Sequence, residues 1–312
     1  MDHKAPLFDR TKHGGLHTTT RPAPITRKVW FVDSGAVTPT ANVRGLDAIG
    51  YGENPDTPFL TLAYAVTQVG IGDVIYCMPG HAENLAADAA VNIVTAGVSV
   101  IGLGYGGSRP TFTATAIAGD FKMAAASGYI ENLLFLSGIA DTTGMLEISG
   151  ADCTVKNCEM RESVGVCDDF LITTATADRL LIDGLIVRGT NGAGAVSNIA
   201  LVGADDAEIK NCYLYGNASA GNVDLRTTLS ARIWIHDCFM WTEHANDVNI
   251  MMTIAACTGT VGPNLVLLTQ DDAGGVTSAV TGATLHMEPP VLVCNLDGEK
   301  GGASGWTAST DA

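Results

Sequence analysis

An all-β fold, a coil-by-coil parallel β-solenoid, is what this sequence predicts, and three observations carry the prediction. Five segments repeat one pattern: YIENLLF at 129–135, TVKNCEM at 154–160, LIDGLIV at 181–187, EIKNCYL at 208–214 and WIHDCFM at 234–240. Their second residues, Ile130, Val155, Ile182, Ile209 and Ile235, are all β-branched and stand 25, 27, 27 and 26 residues apart. A fixed period of that length marks stacked repeats, each burying its apolar face on the next. Within each segment the alternation of strand residues changes phase at one column, Asn132, Asn157, Gly184, Asn211 and Asp237. Strand neighbours face opposite sides, so a phase change requires a bend. Asn, Gly and Asp are the residues that tolerate the left-handed backbone there. Stacked Asn side chains in this column are expected to hydrogen-bond to one another along the axis.

After the bend the inward column reads Leu133, Cys158, Leu185, Cys212 and Cys238. Cysteine and leucine exchange in one place, which makes these thiols small core hydrophobes rather than nucleophiles or metal ligands. The eight cysteines show no CxxC spacing, and reduced thiols fit a cytoplasmic history better than a disulfide framework does. At about 4.8 Å per coil, eight coils over 72–286 would make a rod ~40 Å long.

The elements fall in order along the chain. Residues 1–28 lack periodicity and read as an extended arm. Strand VWFVD at 29–33 opens a unit spanning 29–71. TPFLTLAYAVTQVG, 57–70, reads as an amphipathic helix: Thr57 as N-cap, Pro58 at the first position, and Phe59, Leu62, Ala63, Val66 and Val69 as its apolar stripe. Such a helix would cover the open end of the first coil. The solenoid itself is placed at 72–286, with further strands at 262–270 and 291–296, and 287–312 forms a C-terminal extension.

The chain carries 17 Lys and Arg against 33 Asp and Glu, a formal charge of −16. So acidic a body excludes nucleic acid as the natural partner, and no apolar run is long enough to span a membrane. The first 30 residues reverse the sign, with six basic residues against two acidic. Arg10, Lys12, Arg21, Arg27 and Lys28 are therefore candidates for docking on an acidic surface; a plain disordered tail is the other reading.

Chemical motifs are present but lack context. Gly102, Gly104 and Gly107 match GxGxxG, yet SRPTFTATA follows where a dinucleotide site needs a helix. The pairs Asp168-Asp169, Asp205-Asp206 and Asp271-Asp272 do not recur at matching repeat positions and read as solvated turn acids, with no Arg or Lys plainly beside them. His236 sits in an outward column with Glu131, Lys156, Asp183 and Lys210, which points to the surface, and His244 lies eight residues on. No catalytic residue, metal or cofactor is expected.

The repeat also sorts apolar residues that face outward. One row is Leu134, Glu159, Ile186, Tyr213 and Phe239; two residues on, the next is Leu136, Arg161, Arg188, Tyr215 and Trp241. Leu134, Ile186, Tyr213, Tyr215, Phe239 and Trp241 form an outward stripe, for which a subunit interface is the leading expectation. Sugar-stacking rings and loops folded over the stripe are the alternatives.

VDSGA at 32–36, GYGENPDTPFLTLAYAV at 50–66, GDVIYCMPGHAENL at 72–85 and VSVIGLGYGGSRPTFT at 98–113 resemble the opening of right-handed parallel β-helix proteins from tailed-bacteriophage genomes. These sit in the pectate-lyase-like β-helix superfamily, and similar openings occur in extracellular carbohydrate-active β-helices. The resemblance implies a right-handed parallel β-helix with a short capping helix and an extended arm. It further implies a virion-associated structural protein, a homotrimeric capsid decoration or cement protein. That protein would assemble in the host cytoplasm and dock through its arm on a major capsid protein or another virion protein. The alternative is a carbohydrate-binding or carbohydrate-cleaving β-helix.

Overall fold

The computed structural model describes residues 27–35, 45–163, 167–190, 194–244, 248–252, 256–269, 284–289 and 291–295. Over these the chain winds as a parallel β-helix with three walls. Sheet A has ten strands: Val29–Val32, Val74–Cys77, Ser99–Gly102, Tyr129–Glu131, Thr154–Lys156, Leu181–Asp183, Glu208–Lys210, Ile233–His236, Gly259–Val261 and Leu285–Met287. Sheet B has nine: Ala82–Leu85, Thr111–Ala114, Leu134–Ser137, Glu159–Glu162, Ile186–Arg188, Tyr213–Gly216, Phe239–Thr242, Leu265–Thr269 and Val291–Asn295. Sheet C has seven: Val91–Ile93, Phe121–Met123, Leu146–Ile148, Asp169–Thr173, Ser197–Leu201, Val223–Leu225 and Ile250–Met252. Each strand pairs in parallel with the strand one coil away, and from Val74 to Met252 each of seven coils contributes A, B and C in turn.

The five repeated aliphatics are direct register partners: Ile130 with Val155, Val155 with Ile182, Ile182 with Ile209, Ile209 with Ile235. The column extends through Val100 and Ile75 at one end and Val261 at the other, and all eight are fully buried. At about 1.5–3 kcal/mol for each Val or Ile removed from water, one column stabilises the rod substantially. Leu133, Cys158, Leu185, Cys212 and Cys238 are buried beside it. Desolvation pushes the Cys158 thiol up to about 12, as a core position requires.

The bend column is left-handed throughout: φ is 59° at Asn132, 50° at Asn157, 74° at Gly184, 55° at Asn211, 52° at Asp237 and 58° at Asn264. These side chains do bond along the axis, but to carboxylates and carbonyls rather than asparagine to asparagine. Asn211 Nδ2 donates to Asp183 Oδ1 (2.7 Å), Asn264 Nδ2 to Asp237 Oδ1 (2.8 Å) and Asn132 Nδ2 to the Gly102 carbonyl (2.8 Å). A second left-handed column, at the corner between sheets C and A, holds Ser127, Asp152, Arg179, Asp206 and Arg232. Its charges pair between coils, Arg179 with Asp152 and Arg232 with Asp206.

Asparagine-to-asparagine stacking occurs elsewhere, at the corner where the chain enters sheet C. By register this corner column runs Met145, Phe170, Asn198, Asn222, Asn249. All five are buried. Asn198 Nδ2 donates to Asn222 Oδ1, Asn222 Nδ2 to Asn249 Oδ1 (2.6 Å), and Asn249 Nδ2 to the Leu268 carbonyl (3.0 Å).

The cap is real, but its helix is one turn, Leu62–Ala65, not 57–70. Phe59 explains the difference. Its amide donates to the Phe31 carbonyl and its carbonyl accepts from the Asp33 amide, so this stretch closes the free edge of the first strand instead of coiling. Thr61, not Thr57, is the N-cap, its hydroxyl accepting from the Tyr64 amide. Three carboxylates pin the cap. Asp47 accepts from the Leu60 and Thr61 amides, and Glu83 from the Leu62 and Ala63 amides. Asp73 accepts from the Lys28 and Gly70 amides and the Trp30 indole.

Candidate functional site: the outer face of sheet B

From Leu134 onward, the first and third positions of each sheet B strand form two rows in register, as the sequence repeat predicts. Leu134 pairs with Glu159, Glu159 with Ile186, Ile186 with Tyr213, and Tyr213 with Phe239; Arg161 pairs with Arg188, Arg188 with Tyr215, and Tyr215 with Trp241. All six stripe residues thus share one face. Their exposure is graded: Leu134 is buried, while Ile186, Tyr213, Tyr215, Phe239 and Trp241 are partly exposed.

The rings pack against each other in two pairs. Tyr213 and Phe239 stack with centroids 5.1 Å apart and planes 3° from parallel, and the Arg188 guanidinium lies 5.9 Å from the Tyr213 centroid. Tyr215 meets Trp241 edge-on at 5.0 Å and donates its hydroxyl to Glu243 Oε1 (3.1 Å). Trp241 Nε1 is shielded from solvent and has no acceptor among the described residues.

Next to the rings is a cluster that sequence reading missed. Glu159, 6% exposed, receives three guanidinium groups: Arg109 Nη1 at Oε2 (2.8 Å), and Arg161 Nε (2.6 Å) and Arg188 Nε (3.0 Å), both at Oε1. Burial raises the Glu159 carboxyl, but the three arginines more than reverse this and leave it below its ordinary value. The row positions of Glu159, Arg161 and Arg188 carried the signal; Arg109, fifty residues before Glu159, gave none.

A second buried polar group lies on sheet C. Asp169 and Asp224 both bind Arg226, and Asp169 Oδ1 also accepts from Ser197 Oγ (2.6 Å). Asp169 is 3% exposed and Asp224 1%, so the reading of Asp169 as a solvated acid without a basic neighbour is corrected. The alternation there is broken at Phe170, which is buried along with Asp169 and Leu171 on either side of it. Asp205 and Asp206 are surface acids paired with Arg232, and Asp271-Asp272 lies outside the described residues.

His236 is not a surface residue. Its ring stacks on Trp234 at 3.9 Å, and its nitrogens face Asp237 (2.5 Å) and Glu208 (3.2 Å), which leaves it 7% exposed. The GxGxxG glycines lead into a single 3-10 turn, Gly106–Ser108, and then a strand, so no helix N-terminus meets them. Of the docking candidates, Arg10, Lys12 and Arg21 lie outside the described residues. Arg27 lies against Gly72, and Lys28 Nζ pairs with Glu53 (2.8 Å) on the surface. Among the described residues, no group of His, Cys, Asp and Glu has the arrangement of a metal site, and no helix is long and apolar enough to cross a membrane.

The fold and this face define a parallel β-helix protein with a mixed aromatic and cationic wall. No family model matches the chain, and no curated protein matches it. Among solved structures it is similar to a rhamnogalacturonan lyase, with a TM-score of 0.48 and 11% identity over 84% of this chain and 87% of that one. That degree of likeness assigns this chain no chemistry.

Proposed function

We propose that this protein is a structural β-helix that works as a homotrimer, with the outer face of sheet B as the wall where copies meet. The setting we propose is the virion of a tailed bacteriophage, as a capsid decoration or cement protein held to the particle by its basic arm. The opening block's resemblance to such proteins supports the setting. The observation that carries the contact reading is the state of the rings. Sugar platforms need free ring faces, whereas Tyr213 is covered by Phe239 on one side and flanked by Arg188. Around that stacked pair the apolar surface is continued by the partly exposed Ile186 and Leu136, the kind of surface that copies of a chain bury together. The test is native mass: wild type at three times the chain mass, and Trp241→Asp with Tyr213→Asp at the chain mass. A wild-type monomer, or a double variant that keeps the larger mass, refutes the reading.

Carbohydrate binding or cleavage is the second reading, and the arginines around Glu159 favour it, because guanidinium groups bind acidic sugars well. Shortening of an acidic polysaccharide by the pure protein would establish it in place of the first.

A further inference from the structure

We infer that Arg161 and Arg188 form a clasp for a tetrahedral dianionic oxyanion, a sulfate or phosphate group, free or as an ester on a polymer. The two guanidinium groups stand side by side, since both Nε atoms donate to the same oxygen, Glu159 Oε1, from register-paired positions on adjacent coils. Each side chain is about half exposed, 45% for Arg161 and 55% for Arg188. Neither uses its Nη atoms in a hydrogen bond to any described residue. Two Nη forks are therefore held at a fixed spacing by a buried carboxylate and presented to solvent.

Charge sets the ligand class. Three guanidinium groups, those of Arg109, Arg161 and Arg188, face one carboxylate, which leaves an excess of two positive charges on an otherwise acidic protein. A carboxylate ligand would cancel half of that excess, and a dianion all of it. A tetrahedral oxyanion also offers enough oxygens for both forks to bind in bidentate fashion. Glu159 cannot swing out to compete, because Arg109 holds its other oxygen from two coils away. The clasp lies on the same outer face of sheet B as the proposed contact wall, and the inference does not depend on that wall.

The test is calorimetric titration of the full chain with sodium sulfate, inorganic phosphate and sodium acetate, at ionic strength matched with chloride. Sulfate or phosphate should bind saturably at one site per chain, acetate at least about tenfold more weakly. Arg161→Gln with Arg188→Gln should lose that binding by a similar factor, while Arg161→Lys alone should lose less and serves as the control for folding. A sulfated polysaccharide binding far more tightly than free sulfate, with the same sensitivity to the variants, identifies a polymer-borne group; equal affinity per sulfate identifies the free ion. Absence of saturable binding, binding unchanged in the double variant, or acetate binding as tightly as sulfate would overturn the clasp.

Discussion

Asp224 and Asp169 share the guanidinium of Arg226, and Asp224 Oδ1 has no partner among the described residues. One positive charge thus serves two buried carboxylates. Burial first, and the charge of Asp169 after it, push the Asp224 carboxyl up to about 6, against the pull of Arg226; burial raises Asp169 as well.

A raised carboxyl binds its proton more tightly in the folded than in the unfolded chain. Its contribution to stability is therefore complete below the ordinary value of 3.8 and is lost as pH rises through about 6. Asp224→Asn removes the titrating group but keeps an acceptor for Arg226. The variant should be more stable than wild type at pH 7–8 by ~1 kcal/mol, with the difference gone near pH 4. Urea midpoints at the two pH values measure it, and a variant less stable at pH 8 contradicts the account.

Gly184 is the one glycine in the bend column, with φ of 74°, and a Cβ there would come 2.6 Å from Asn157 Oδ1. Gly184→Ala combines left-handed strain with that clash. A loss of about 2 kcal/mol is expected, read as a lower urea midpoint at unchanged slope.

Asn222 both accepts from Asn198 and donates to Asn249, and none of the three is exposed to solvent. Asn222→Ala strands a donor on one neighbour and an acceptor on the other, so it should cost ~2–4 kcal/mol. Asn157→Ala, at a solvent-facing bend, should cost less. Equal losses would show that the buried column contributes nothing beyond its turns.

Glu83 is the acceptor for the first two amides of the capping helix and faces His81 Nε2 at 3.3 Å. With Glu83→Ala, the Leu62 and Ala63 amides should exchange with solvent faster while the sheet A amides of later coils keep their protection. Uniform acceleration along the rod would mean that the cap is a folding unit with the whole solenoid.

The core column and the bend were readable because they impose residue types at a constant interval: β-branched aliphatics at Ile130 through Ile235, and Asn, Gly or Asp at the turn. The second left-handed column was not, because Ser127, Asp152, Arg179, Asp206 and Arg232 have no residue type in common; inter-coil ion pairs rather than intrinsic preference accompany that conformation. The helix at 57–70 had the right periodicity, and most of its apolar stripe is buried, but the free edge of Val29–Val32 competed for the backbone at Phe59 and won. Asn198, Asn222 and Asn249 recur at 24 and 27 residues, so their stacking was within reach of the same counting that found the aliphatics. The convergence on Glu159 needed the register as well as the period, since Arg109 acts from two coils away.

The amide column also governs how such a rod can lengthen. Upstream, Met145 and Phe170 fill that corner with hydrocarbon, so a duplicated turn inserted there meets neighbours indifferent to hydrogen bonding. From Asn198 to the Leu268 carbonyl each amide donates to the next member, and an inserted turn without its own asparagine severs the relay. Growth by whole turns is thus permissive in the first half of the molecule and conditional in the second.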